Sequence, residues 1–96
     1  ASLVHDDLPC FDDAATRRSR PSLHRAFDER LAVLAGDALI VLAFQHVARC
    51  AGTVPERLGA VLAEIGRAAG APNGIIAGQG WECEATVPLA EYQRAK

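Results

Sequence analysis

The sequence predicts an all-α chain, on three observations. Nineteen of the 96 residues are alanine and only five are aromatic, a composition that favours closely packed helices over strands. Apolar residues recur at helical spacing from residue 28 to 50 and again from 58 to 65. Breaker residues mark the ends of these stretches, at Gly52 and in the run Gly70-Ala71-Pro72-Asn73-Gly74.

Each element follows in order. A first helix is expected from Ala1 to about Asp13, kinked at Pro9, which has no backbone N–H to donate. Residues 14–21 are polar and basic and read as a loop. Ser22 can cap a short turn through Phe27. The main helix runs from about Asp28 to Cys50. It is apolar nearly all round between Ala38 and Phe44, which predicts a buried central helix. Gly52 ends it. Thr53 is an N-cap candidate with Pro55 in the first turn and Glu56 at the third position, opening a helix to about Ala69. Leu58, Val61, Leu62 and Ile65 share its apolar stripe. A further helix is expected from about Ile75 to Cys83, and Thr86-Val87-Pro88 opens a last one.

Net charge is −2, which gives no reason to expect nucleic acid or a polybasic membrane surface. The sequence holds no uncharged run of eighteen apolar residues, so no membrane span is expected. Three cysteines, Cys10, Cys50 and Cys83, have neither metal-ligand nor redox spacing; an odd, dispersed set fits a reducing cytoplasm.

The chemistry concentrates in Asp6-Asp7-Leu8-Pro9-Cys10-Phe11-Asp12-Asp13. Two pairs of carboxylates stand together with no Lys or Arg among them, and close carboxylates repel unless something offsets their charge. A hard divalent cation such as Mg2+ suits oxygen-only ligands and shares its remaining positions with water and phosphates. Arg17-Arg18-Ser19-Arg20 follows, and guanidinium forks suit phosphate oxygens. Acidic pairs followed by arginines could hold a phosphorylated substrate both through metal and directly. On an ideal helix, turning about 100° per residue, Asp6 would share a face with Asp13 rather than Asp12; the kink at Pro9 leaves that pairing open.

The block His5-Asp6-Asp7-Leu8-Pro9-Cys10-Phe11-Asp12-Asp13, with Arg17-Arg18-Ser19-Arg20-Pro21-Ser22-Leu23-His24, resembles the first aspartate-rich motif of the trans-prenyl diphosphate (polyprenyl) synthases, HDDLPxMDD then RRGxPTxH. Leu34-Ala35-Gly36-Asp37-Ala38-Leu39 resembles the family's LAGDAL segment, Gly78-Gln79-Gly80-Trp81-Glu82 its GGQALD segment, and Lys96 the lysine of its KTG motif. The resemblance covers essentially the whole chain. It departs at Ser19, where the family has glycine, and at Glu82, where it has aspartate.

The resemblance implies part of an isoprenoid-synthase helical bundle. The chain would be the central fragment of a single polyprenyl synthase domain, from the first aspartate-rich motif to the start of the KTG motif, and inactive alone. The implied activity is a trans-prenyltransferase that condenses an allylic diphosphate (dimethylallyl, geranyl or farnesyl) with isopentenyl diphosphate after Mg2+-assisted ionisation. The product implied is geranylgeranyl diphosphate for isoprenoid or carotenoid synthesis; the alternatives are a farnesyl diphosphate synthase or a non-catalytic helical fragment. The implied metal set is Asp6 and Asp12 as direct ligands, with Asp7 supporting them. Arg17 and Lys96 would grip the allylic diphosphate, Arg18 isopentenyl diphosphate, and Gln79 would line the allylic cavity. Asp6, Asp12, Arg17 and Lys96 are thus the expected catalytic residues. Ala1 and Ser2, on the turn before Asp6, are too small to block the tube for the growing chain and would set product length. The full-length form is expected to be a homodimer. His5, His24, His46 and Asp37 are expected to be structural.

Overall fold

A computed structural model describes residues 1–84. Helices make up most of them, as the composition predicts, in the order α1 (Ser2–Asp6), α2 (Leu23–Ala26), α3 (Glu29–Cys50), α4 (Leu58–Ala69) and α5 (Ile75–Glu82). One small hairpin, β1 (Thr16–Arg17) with β2 (Arg20–Pro21), interrupts the helical pattern. The chain forms two units, Ala1–His46 and Val47–Lys96, each described by itself. The helix expected after Thr86-Val87-Pro88 and the residue Lys96 lie outside the described residues.

In the first unit, α1 is shorter than expected. It ends at Asp6 instead of continuing through a kink to Asp13. Pro9 lies in a series of tight turns, in which the amides of Phe11 and Asp13 both donate to the Leu8 carbonyl, at 2.9 and 3.0 Å. Leu8 is the apolar anchor of these turns and is 4% exposed. A proline, which cannot donate to the preceding turn, thus stops the helix here rather than bending it.

The expected loop 14–21 is the hairpin. Thr16 pairs with Pro21 and Arg17 with Arg20. The two residues between them, Arg18 and Ser19, have φ of 51° and 65°. A two-residue hairpin turn with both central residues at positive φ matches the right-handed twist of the strands and usually carries Asn-Gly.

Ser22 precedes α2, as expected of a cap, but its hydroxyl does not cap the helix. It donates to the Ala14 carbonyl at 2.6 Å, while its amide donates to Ala15 at 3.0 Å. The buried serine therefore ties the start of α2 back to the two residues that lead into β1, the strand that carries Arg17. At α3 the expected start holds: Asp28 Oδ1 accepts the amide of Arg30 at 2.8 Å and that of Leu31 at 3.4 Å, satisfying two N–H groups that have no partner within the helix.

The buried character expected of α3 is not found. Only Ala32 and Gly36 are buried along it. Leu39, Val41, Leu42 and Phe44 are all exposed. Periodicity and composition report that a surface is apolar, but not what covers it. By length and composition α3 would also suffice to cross a membrane, although Asp37 and His46 interrupt its apolar run.

In the second unit, a 3-10 turn at Pro55–Arg57 precedes α4, and no side chain caps it. Thr53 is therefore not the N-cap; its amide donates to the Cys50 carbonyl at 3.1 Å, closing the end of α3. The α4–α5 connection depends on Gly74. Its φ is +126°, and a Cβ there would lie 2.6 Å from the carbonyl oxygens of Arg67 and Ala68. Only glycine fits both the conformation and the space. α5 buries Ala77 and Gly78.

Candidate diphosphate and metal site

The turns after α1 bring Asp6 and Asp12 together. The Asp12 amide donates to the Asp6 carbonyl at 3.0 Å, so the last residue of the helix and the fourth residue after Leu8 meet at the backbone. That return, rather than a kink, reconciles a six-residue separation with one location. Asp13 is carried elsewhere. It adopts φ 47°, and its carboxylate lies 3.7 Å from Arg25 and 3.8 Å from His24.

Asp7 has a different partner. It is 3% exposed, and both its carboxylate oxygens are taken by the Arg17 fork, from Nη2 at 2.6 Å and Nε at 3.3 Å. Arg17 Nη2 also lies 3.9 Å from Asp6 Oδ2. The hydrogen bonds it donates to Asp7, and then the attraction of Asp7, Asp6 and Asp12, hold the guanidinium above its ordinary pKa. The acidic block therefore does not stand without a cation. Arg17, brought back by the hairpin, offsets part of its charge.

Asp7, expected to support Asp6 and Asp12, is the anchor of Arg17. Among the described residues no three His, Cys, Asp or Glu side chains come together as a metal group. The remaining donors, Asp6 and Asp12, are two hard carboxylates whose backbones adjoin. That is the donor set Mg2+ uses when substrate phosphates and water complete its shell, so the residues fit the ion.

Arg18 stands exposed at the hairpin tip, held in its unusual conformation by the turn. Ser19 shares that conformation, which gives the physical reason for a glycine in the motif it resembles. Ala1 and Ser2 are exposed at the start of α1. Gln79 lies on α5 in the second unit and is partly buried. Beside it Gly78 is buried, whereas Gly80 is exposed and a Cβ there would meet nothing within 4 Å.

The sequence reading missed a second set of contacts. His5 Nε2 lies 3.1 Å from the Val33 carbonyl and 3.3 Å from Asp37 Oδ1, with its ring over Gly36. The signal was present as the adjacency of His5 to Asp6 and the Gly36-Asp37 pair, but nothing local in the sequence links residues 28 to 32 positions apart.

Compared with known proteins, residues 1–95 match the family model described as polyprenyl synthetase. The chain belongs to the polyprenyl synthetase family. It is 53% identical over all 96 residues to a geranylgeranyl diphosphate synthase of Cereibacter sphaeroides and 51% identical over the same length to one of Rhodobacter capsulatus. It covers 33% of each, so the chain spans about a third of the curated relatives it matches. Among solved structures, a geranyltransferase from Helicobacter pylori superposes with a TM-score of 0.82 at 35% identity, over 94% of this chain and 32% of that one. These matches confirm the resemblance and the helical-bundle class. In polyprenyl synthetase terms, the turns after α1 are the aspartate-rich block and the hairpin is its arginine loop.

Proposed function

We propose that this chain is the central part of a longer trans-prenyltransferase, inactive by itself, that extends an allylic diphosphate with isopentenyl diphosphate and makes geranylgeranyl diphosphate. The observation that carries the product is the identity of 53% and 51%, over the whole chain, to relatives named geranylgeranyl diphosphate synthases. Asp6 and Asp12 would hold Mg2+, which when bound supplies charge neutralisation at the departing diphosphate. Arg17, already fixed by Asp7, presents its remaining N–H groups to the allylic diphosphate, and Lys96 completes that grip. Arg18 binds isopentenyl diphosphate, and Gln79 lines the allylic cavity. Apolar helix faces exclude water while the new bond forms. The working form is proposed as a cytoplasmic homodimer serving isoprenoid or carotenoid synthesis.

The test uses the longer protein with isopentenyl diphosphate, each allylic diphosphate and Mg2+, followed by dephosphorylation and chromatography. Geranylgeraniol is the expected product, and Asp6→Asn is expected to abolish most turnover without loss of helicity. Near-parent turnover by Asp6→Asn would remove the metal assignment, and farnesol as the end product would remove the chain-length assignment.

A further inference from the structure

Asp6 sits between two restrained neighbours. On its C-terminal side, Asp7 is locked in the Arg17 fork. On its N-terminal side, His5 is fixed against α3. The two groups facing His5 Nε2, the Val33 carbonyl at 3.1 Å and Asp37 Oδ1 at 3.3 Å, are both acceptors, so that nitrogen carries the hydrogen. Gly36 is the seat of the ring. A Cβ at that position would fall on His5 Nε2, Cδ2 and Cε1, closer than van der Waals contact allows. Gly36 therefore lets α1 approach α3, and Asp37, the next residue, supplies the side-chain acceptor that fixes the ring.

We propose that Asp37 is a positioning residue for the reaction: through His5, seated on Gly36, it orients the end of α1 that presents Asp6 to the metal and diphosphate. This inference rests on the function proposed above. Asp37 is 57% exposed, so its pairing with His5 contributes little to stability. Its effect is on the orientation of the adjoining ligand. Carboxylates that hold a metal site from outside its ligand shell usually change affinity on the order of ten- to a hundred-fold. The exposure of Asp37 sets the expectation at the lower end of that range.

The experiment compares variants of the longer protein in two readouts. One is the Mg2+ half-saturation of the elongation rate. The other is calorimetric titration of Mg2+ into protein with inorganic diphosphate, which needs no turnover. Asp37→Ala is expected to weaken Mg2+ about tenfold in both, with the melting temperature and the KM for isopentenyl diphosphate unchanged. Asp37→Asn, which keeps the Oδ1 acceptor, is expected to stay within about twofold of the parent. Gly36→Ala displaces the His5 ring and should lower both melting temperature and Mg2+ affinity. Adding His5→Ala to it should restore the melting temperature but not the affinity. An active parent whose Asp37→Ala variant binds Mg2+ within about twofold overturns the inference alone. So does a loss that follows the melting temperature and is not rescued by asparagine. A parent that elongates no allylic diphosphate overturns the proposed function and this inference with it.

Discussion

Ser19→Gly should stabilise the protein, and the size of the gain follows from the backbone. Arg18 and Ser19 occupy the tip of the β1–β2 hairpin at φ 51° and 65°. A side chain with a Cβ in this left-handed region costs about 1–2 kcal/mol relative to the right-handed one. Glycine escapes that cost but loses roughly 0.5–1 kcal/mol more conformational entropy on folding. The difference leaves a net gain of about 0.5–1 kcal/mol for glycine. In a domain of about 150–250 residues that raises the melting temperature by about 1–4 °C. The assay is thermal unfolding of a series at this one position. Glycine should melt highest, asparagine next, because its short polar side chain tolerates the left-handed region, then serine, with β-branched valine lowest. An order that follows side-chain size or hydrophobicity, or a glycine variant no more stable than the parent, refutes the argument. The KM for isopentenyl diphosphate reports separately on the neighbouring Arg18, and a drop in that KM for glycine would show that serine also restrains the loop's approach to substrate.

Further outcomes follow from the same geometry. Arg17→Lys keeps the charge but loses the fork that both Asp7 oxygens use, so it should raise the allylic KM; Arg18→Lys should act mainly on the isopentenyl KM, and equal effects on both substrates would refute the division. Asp28 is held below its ordinary value of 3.8, first by its side-chain hydrogen bond with Arg30, so its support of α3 is complete above that pH and fades as pH falls through the lowered folded value. Asp28→Asn should therefore melt below the parent at neutral pH and converge with it in strong acid. Ala1→Tyr should shorten the main product from twenty to fifteen carbons by closing the space before Asp6; chromatography of the dephosphorylated products decides, and unchanged geranylgeraniol counts against position 1 as the one that sets product length.

What the sequence revealed was local. The helical class, the start of α3 near Asp28 and the glycine-proline break before α5 all depend on neighbours within a few positions. The content of the site was also legible, because its carboxylates and arginines occupy one short stretch. The geometry was not. Pro9 is equally compatible with a kinked helix and a helix stop, and only the carbonyl of Leu8, taken by two amides, decides for the stop. The Arg18-Ser19 turn lacks the usual Asn-Gly, so nothing local announced a hairpin. Ser22 carries a hydroxyl suited to capping, but it donates to the Ala14 carbonyl instead of accepting from a helix amide. Asp7 and Arg17 attract each other across ten residues, and His5 meets Asp37 across an intervening hairpin and helix. Pairings of that kind are chosen by tertiary packing, not by spacing.

The exposed apolar surface of α3 raises the question of what such a helix packs against, and the contacts of Asp37 bear on the answer. Twenty-two residues at about 1.5 Å each span about 33 Å, enough for a bilayer's hydrocarbon core. Asp37 lies eight residues from one end and thirteen from the other, which in a bilayer would put a carboxylate well inside the hydrocarbon. Such a group is costly there unless it is paired. It is paired, with His5, and that pairing decides the matter. His5 is seated on Gly36, and the residues that follow it are Asp6 and Asp7, with Arg17 fixed to Asp7. A membrane around α3 at this depth would enclose two further carboxylates, a guanidinium and the polar turns that carry them. No comparable cost arises if the exposed Leu, Val and Phe side chains meet other helices of a bundle while the His5–Asp37 end remains open to water. The His5–Asp37 contact therefore argues that the apolar face of α3 meets protein rather than lipid.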